Sequence, residues 1–217
     1  KERFSDRVLK RLYVLNYAPN GMWYYFVSVY FMQNKDSRGK LDDDKFYVFI
    51  TKITAFIWVY AIVNPGVNAL RTPVYAEMLN IILGKEVSFS DYKFDPVQLE
   101  SQINNYEFTN GRPITKSMLT WWAFCNANQE LISLESLFEI EHIYAKKRQD
   151  NEKKLSSNRK LECLGNKAIL EKRINIRASD YRFEDKIKYY IGHTTEKGQI
   201  KKGTLNFELK SLSETYD

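Results

Sequence analysis

The stretch from Phe138 to Tyr190 places the strongest constraint on what this chain can fold into, because its residue pattern changes character in a fixed order. Apolar and polar residues first alternate as in a short β-strand, and a polar stretch without apolar periodicity follows. An apolar stretch broken by a Gly-Asn turn comes next, and apolar residues then recur at helical spacing. The predicted elements are a strand at 137–143, a polar loop at 144–160, a second strand at 161–170 and a helix that begins near 183.

Four short motifs accompany these elements: Glu141-His142-Ile143, Leu164-Gly165-Asn166, Asn175, and Phe183 to Lys186. In this order they resemble the HNH form of the ββα-metal (His-Me finger) nucleases. More specifically, the chain resembles the C-terminal HNH domain of the GmrSD-type restriction endonucleases, over roughly residues 137–192. Two positions depart from that pattern. Ala145 stands where many members carry proline, and Ser179 or Asp180 replaces a second asparagine.

The resemblance implies metal-dependent hydrolysis of phosphodiester bonds, which needs a base for water and a cation for the developing negative charge. His142 would be the base, since a neutral imidazole suits that role near neutral pH. A carbonyl near Asn166, the second residue assigned to catalysis, would orient the other ring nitrogen. Glu141 and Asn175 would offer hard oxygen ligands to Mg²⁺ or Mn²⁺, and Lys186 would hold a phosphate.

The positive charge of the chain, net +6, is concentrated around these motifs. Residues 142–177 hold 11 basic and 4 acidic side chains, whereas residues 1–138 hold 15 basic and 14 acidic ones. Such a patch is typical of a protein that binds a polyanion, and we expect that partner to be DNA. The residues predicted to contact nucleic acid are Lys146, Lys147, Arg148, Lys172, Arg173 and Lys186.

Each of these residues also has an ordinary structural interpretation. A single histidine on a strand is usually structural, an asparagine after glycine usually forms a turn, and lysine-rich loops are common on soluble proteins. Two functions therefore remain as hypotheses. The first is an HNH endonuclease module of a restriction or phage-defence protein, and the alternative is a catalytically inactive nucleic-acid-binding or helical interaction module.

Helical patterns fill most of the remaining chain, and 44% hydrophobic residues suffice for packed cores. We expect a mostly α protein with a small α+β part, divided into a helical domain at 1–130 and an HNH-like module at 131–217 with a C-terminal helix. Residues 46–63 are long and apolar enough to suggest a membrane span, but Lys52 interrupts them, and we interpret them as a buried helix. The predicted helices are 4–17, 20–34, 46–63, 67–83, 95–106, 114–127 and 204–212, with a polar loop at 193–203.

The sequence also suggests where the protein works and with what. Cys125 and Cys163 form no Cys-x-x-Cys pair, which predicts neither a structural zinc site nor a disulfide framework and fits the cytoplasm. Because Lys1 is not a start methionine, we expect this chain to be a piece of a longer protein. We also expect no membrane association. The resembled family usually carries a nucleotide-binding domain before this region. DNA specificity, activity of this chain alone and pairing into a homodimer stay open.

Overall fold

The computed structural model describes residues 4–64, 66 and 70–216, and the chain forms two compact units that divide between Tyr106 and Glu107. This division lies earlier than the expected boundary after residue 130. The reason is that the helix Pro113–Ala123 packs on the strand Lys167–Glu171 of the second unit. Helices dominate both units, and the described residues contain two sheets of two strands each. The predicted fold class, mostly α with a small α+β part, is confirmed.

The first unit is helical throughout its described part. Its helices are α1 (Asp6–Leu15), α2 (Met22–Asn34), α3 (Asp43–Val63), α4 (Arg71–Ile82) and α5 (Pro96–Asn105). The helix expected at 67–83 begins, in its described part, at Arg71, and Pro73 lies in its first turn, where a missing N–H costs least. Residues 67–69 of that prediction lie outside the described residues.

Two of these helices begin at aspartates for a common physical reason. The Asp42 carboxylate accepts the backbone N–H of Lys45 at 2.9 Å, and the Asp95 carboxylate accepts that of Gln98 at 2.8 Å. Each bond satisfies an N–H that has no partner within its helix, and negative charge there also suits the helix dipole. Pro96 follows its cap as the first helical residue, where its fixed φ suits the helix and its missing N–H costs little.

Helix α3 supplies much of the core of the first unit. Ile50 and Ile53 are fully buried, and Phe49 stacks on Tyr30 of α2 with ring centroids 3.9 Å apart. Phe56, further along α3, stacks on Phe89 at 3.6 Å. These contacts explain why so apolar a helix lies in this position, because its inner face is removed from water by aromatic partners.

Within the described ranges, α3 is the one helix long and apolar enough to cross a membrane by length and composition. An 18-residue stretch of it has a mean hydropathy of 1.9, and 44% of that stretch is buried inside the protein. Val48, on the other face, is 61% exposed, so α3 is buried along one face and not all round as the sequence suggested. The absence of membrane association stays a prediction.

The second unit combines helices with both sheets. Its elements are α6 (Pro113–Ala123), β1 (Phe138–His142), α7 (Lys146–Glu152), α8 (Asn158–Leu161), a 3-10 turn (Leu164–Asn166), β2 (Lys167–Glu171), α9 (Lys172–Ala178), α10 (Phe183–Ile191), β3 (Gly192–Thr194), β4 (Ile200–Lys202) and α11 (Phe207–Glu214). β1 pairs antiparallel with β2, in a register that sets Glu141 opposite Ala168 and His142 opposite Lys167. Helix α9 packs against both strands and α10 against α9, over a core that contains Leu170 and Tyr190.

The order strand, loop, strand, helix is present, but three details differ from the sequence prediction. The polar stretch 144–160 contains two short helices, α7 and the start of α8, and the second strand begins only at Lys167. Helix α9 lies directly after β2, where no helix was predicted. The expected loop at 193–203 instead contains most of the hairpin of β3 and β4. Gly203 follows β4, and any side chain there would collide with the carbonyl oxygens of Tyr190 and Ile191.

Replacing Ile53 by alanine should lower the free energy of unfolding of the first unit by about 2–5 kcal/mol, because the deleted atoms leave a cavity in a fully buried site. Urea unfolding followed by circular dichroism measures the change. Val48→Ala, on the exposed face of the same helix, is the control and should alter stability by about 0.5 kcal/mol or less. Equal effects of the two substitutions would contradict the described core.

Candidate active site

The second unit brings three of the four residues predicted for catalysis or metal binding to one open cavity of about 320 Å³. Glu141 and His142 reach it from the end of β1, and Asn175 reaches it from α9. Spatial convergence of residues far apart in sequence is what a shared chemical role requires. The other residues that line the cavity are Ile140, Ala145, Lys146, Lys147, Ser179 and Asp180.

Asn166, predicted to be catalytic, has a different position. Its side-chain amide donates to the carbonyl oxygens of Tyr144 at 3.1 Å and Leu161 at 3.0 Å, and its Oδ1 accepts the N–H of Tyr144 at 2.7 Å. Its backbone carbonyl accepts the N–H of Ile143 at 2.9 Å. Asn166 is not among the described residues that line the cavity. It therefore clamps the segment that follows His142 and makes no contact that chemistry would use.

Glu141 and Lys186 form a buried pair, which the sequence did not predict. The Lys186 ammonium has no exposed surface and donates to Glu141 Oε1 at 2.6 Å and to the carbonyl of His142 at 2.8 Å. The Tyr190 hydroxyl donates to the same Glu141 oxygen at 2.6 Å. Burial raises the pKa of Glu141, and the charge of Lys186 opposes that rise. Lys186 thus neutralises an internal carboxylate. The sequence predicted that it holds a phosphate, but its ammonium is buried and does not reach solvent.

His142 lies with one ring nitrogen inside the protein. Nε2 is buried without a hydrogen-bond partner among the described residues, and it lies 3.5 Å from Oε2 of Glu162. That distance exceeds an ordinary N–H···O hydrogen bond, so the contact is electrostatic. Burial, followed by the charge of Lys167, lowers the pKa of His142, which leaves the imidazole neutral at neutral pH.

The orientation of His142 also corrects the sequence prediction. A carbonyl near Asn166 was expected to hold the second ring nitrogen, but the Asn166 carbonyl accepts from Ile143 and the Glu162 carboxylate faces Nε2. Glu162 and Lys167 were missed, although a signal existed. They are the two charged residues in the otherwise apolar or uncharged stretch 161–170, and lysine and glutamate in such a stretch are seldom buried unless paired.

The carboxylate and amide oxygens at the cavity are of the type that Mg²⁺ prefers, but several of them are already engaged in other contacts. Asn175 donates its Nδ2 to Glu139 at 2.9 Å, so its Oδ1 is the atom left for a cation. Glu141 already shares Oε1 with an ammonium and a phenol, so only its Oε2 could act as a ligand. The structure contains, within its described ranges, no group of three or more His, Cys, Asp or Glu residues that could hold a metal ion. Mg²⁺ often keeps several waters and few protein ligands, which this donor set allows.

Four of the basic residues predicted to bind nucleic acid are exposed, namely Lys146, Lys147, Lys172 and Arg173, whereas Arg148 is engaged in contacts within the protein. Lys146 and Lys147 are exposed on α7 at the cavity, where Lys147 Nζ lies 3.1 Å from Oδ2 of Asp180. This ammonium, which bonds the carboxylate, lowers the pKa of Asp180. Arg148 instead donates to the Asp180 carbonyl at 2.7 Å and to Glu152 at 3.2 Å, so it anchors α7 to the segment before α10.

Lys172 and Arg173 are exposed at the start of α9. Lys172 Nζ lies 3.7 Å from a carboxylate oxygen of Glu139, at a solvent-exposed position where such a pair is weak. Both side chains are therefore accessible to a polyanion, and their contact with nucleic acid stays a prediction.

One open cavity thus brings together an imidazole, oxygen donors and two exposed lysines. The family model for GmrSD restriction endonucleases, C-terminal domain, matches residues 78–211, more than half of the chain, and the chain belongs to this family. It is thus a nuclease module related to restriction endonucleases, and the resemblance found in the sequence is confirmed. No curated protein and no solved structure matches the chain.

Replacing Lys186 by methionine should destabilise the second unit by about 3–5 kcal/mol, because Glu141 would remain buried with an uncompensated charge. Thermal or urea unfolding at neutral pH measures this loss. Lys188→Met, an exposed position on the same helix, should change stability by about 0.5 kcal/mol or less. A Lys186→Met protein as stable as wild type would show that the buried pair is not formed in solution.

Proposed function

We propose that this chain is the HNH-type module of a restriction or phage-defence endonuclease, and that it hydrolyses phosphodiester bonds of DNA with the help of a divalent cation. The observation that carries the proposal is the convergence of Glu141, His142 and Asn175 on one cavity beside two exposed lysines. Membership of a restriction endonuclease family supports the nuclease chemistry.

His142 is the base in this proposal. Its neutral imidazole accepts a proton from the attacking water as the water oxygen bonds to phosphorus. The bond between phosphorus and the leaving sugar oxygen breaks in the same step, and that oxygen takes a proton from solvent. The lowered pKa supports this role, since a ring that is already protonated at neutral pH could not take a proton. The Asn166 clamp on Tyr144 keeps the backbone after His142 in place while the substrate binds.

Glu141, through Oε2, and Asn175, through Oδ1, would hold Mg²⁺ or Mn²⁺, with oxygen atoms of the substrate and water completing the shell. When bound, the ion supplies positive charge to the oxygens of the phosphate undergoing attack. Asp180 lies at the same cavity and adds a further carboxylate. Ligands this few predict weak cation binding until DNA is present.

DNA binding in this proposal rests on phosphate contacts. Lys146 and Lys147 lie at the cavity, and Lys172 and Arg173 are exposed at the start of α9. Such contacts position the duplex and carry no base specificity. We propose that recognition belongs to a nucleotide-binding domain of the whole protein, that pairing of two chains would allow both strands to be cut, and that the protein works in the cytoplasm.

The alternative is a catalytically inactive module that only binds nucleic acid. The ion pair between Glu141 and Lys186 favours it, because an ammonium 2.6 Å from a ligand oxygen opposes a second cation there. Against it, His142 keeps 14% of its side chain exposed and lies among charged neighbours, not in an apolar pocket.

Plasmid nicking by the purified chain decides between the two functions. Wild type should nick DNA with Mg²⁺ or Mn²⁺ and not with a chelator, and His142→Ala should reduce the rate about 10²–10⁴-fold, as expected for loss of a general base. His193→Ala is the matched control, since His193 is the other histidine of the chain and does not line the cavity. Circular dichroism should establish that both variants are folded.

Nicking that persists in His142→Ala would refute the assigned base. Binding of DNA without nicking, by wild type and both variants alike, would favour the inactive module. The same experiment on the full-length protein then separates a degenerate site from a module that needs its partner domain.

Replacing Lys146 and Lys147 together by alanine should weaken DNA binding and reduce the slope of log affinity against log salt by about 1–2, because each phosphate contact releases condensed counterions. Fluorescence anisotropy at several salt concentrations measures the slope. Lys197→Ala with Lys202→Ala removes the same charge from exposed positions at the β3–β4 hairpin and should leave the slope nearly unchanged. Equal slopes for the two double variants would exclude a specific contact through α7.

A further inference from the structure

Glu162 is a buried carboxylate that the proposed chemistry has not yet used. It lies between α8 and the 3-10 turn, is 6% exposed, and directs Oε2 toward two other buried groups. That oxygen lies 2.5 Å from Nζ of Lys167 and 3.5 Å from Nε2 of His142. A carboxylate is seldom buried to this extent unless it is paired with a charged or hydrogen-bonding partner.

Lys167 fixes the position of this carboxylate. Its side chain is fully buried, and its ammonium donates to the Phe108 carbonyl, to Asn110 Oδ1 at 2.8 Å and to Glu162. The backbone of Glu162 is held as well, since its carbonyl accepts the N–H of Phe108 at 2.9 Å. Burial acts to raise the pKa of Glu162, but the bond to Lys167 outweighs it and lowers that pKa below its usual value. Glu162 is therefore an ionised acceptor with little freedom to move.

The Nε2 atom of His142 is the group that this acceptor faces. It is buried and has no hydrogen-bond partner among the residues that the structure describes. A buried polar atom without a partner is unfavourable and calls for an explanation. The contact of 3.5 Å is longer than a hydrogen bond, but catalytic hydrogen bonds are often long in the free protein and shorten when the substrate binds.

We propose that Glu162 is the positioning residue for His142: its carboxylate accepts the Nε2–H of the imidazole and so keeps the lone pair on Nδ1. This inference rests on the proposed function, in which His142 takes a proton from water. The proton moves from the water oxygen to Nδ1, and Nε2 keeps its own proton toward Glu162 throughout. The carboxylate then lies beside the imidazolium that has formed and stabilises its charge.

The short segment from Glu162 to Asn166 would in this way hold both the backbone after His142 and its imidazole ring. Asn166 holds the backbone after His142, and Glu162, four residues earlier, holds the ring. A carboxylate behind a functional histidine sets its tautomer and orientation, and losing such a partner commonly costs about 10–100-fold in activity.

The tautomer of His142 tests this proposal without any need for DNA cleavage. Long-range ¹H–¹⁵N correlation spectra of the ¹⁵N-labelled chain distinguish an imidazole protonated on Nε2 from one protonated on Nδ1. The chain has two histidines, so His193→Gln assigns the signals. At neutral pH, wild-type His142 should be neutral with its proton on Nε2. A neutral ring with its proton on Nδ1 would overturn the proposal.

Glu162→Gln gives the second measurement. The Lys167 ammonium requires an oxygen, so the glutamine should turn its NH₂ group toward His142 and shift the ring to the Nδ1–H tautomer, while the His193 signals stay unchanged. Nicking should fall about 10–100-fold. An unchanged tautomer in a folded Glu162→Gln protein would assign Glu162 to ion pairing with Lys167 alone. If this variant does not fold, the wild-type tautomer decides. A correct tautomer in a protein that never nicks DNA would reject the proposed function and leave the positioning contact intact.

Discussion

The clamp made by Asn166 is the interaction on which the rest of the site depends. One side chain bonds both the N–H and the carbonyl of Tyr144, and the Asn166 carbonyl bonds Ile143. The chain that leaves β1 is thereby joined to the turn that enters β2. Because His142 lies directly before these two residues, the clamp limits the directions in which the imidazole can point. The cavity exists where it does because the end of β1 is held this way.

Two buried lysines lie inside this unit, and each is paired with a buried glutamate, so neither adds to the positive charge of the surface. Lys186 neutralises Glu141, and Lys167 neutralises Glu162, with neither ammonium exposed. Each pair sits beside His142, one through its backbone carbonyl and one through its ring. The exposed charge that can meet a phosphate is consequently smaller than the count along the sequence. At the cavity it comes from Lys146 and Lys147 of α7.

The sequence predicted the order of elements around the site because that order follows from local patterns. Alternation predicted β1, and helical spacing predicted α10. Convergence of Glu141, His142 and Asn175 followed from the family resemblance. Helix α9 was missed because its seven residues are too few for a clear period, and the short β3–β4 hairpin was missed for the same reason.

What local patterns could not supply is the pairing of side chains over long separations. The contact of Lys186 with Glu141 spans 45 residues, so nothing on α10 itself distinguishes a buried lysine from a solvated one. Asn166 was expected to be catalytic because its type and position fit the motif, whereas its bonds are all to backbone. Burial of Glu162 could have been predicted from the sequence, because it and Lys167 are the charged residues of an otherwise uncharged segment, 161–170.

One cavity is proposed to hold the base, the cation and the bound phosphate. The most direct test adds Mn²⁺ to the ¹⁵N-labelled chain in the presence of a short duplex with non-hydrolysable linkages and follows paramagnetic broadening of the backbone amides. The amide signals of His142, Asn175 and Asp180 should broaden first, and a chelator should restore their line widths. Broadening centred elsewhere in the chain, or none at saturating DNA, would contradict a metal-dependent site at the end of β1.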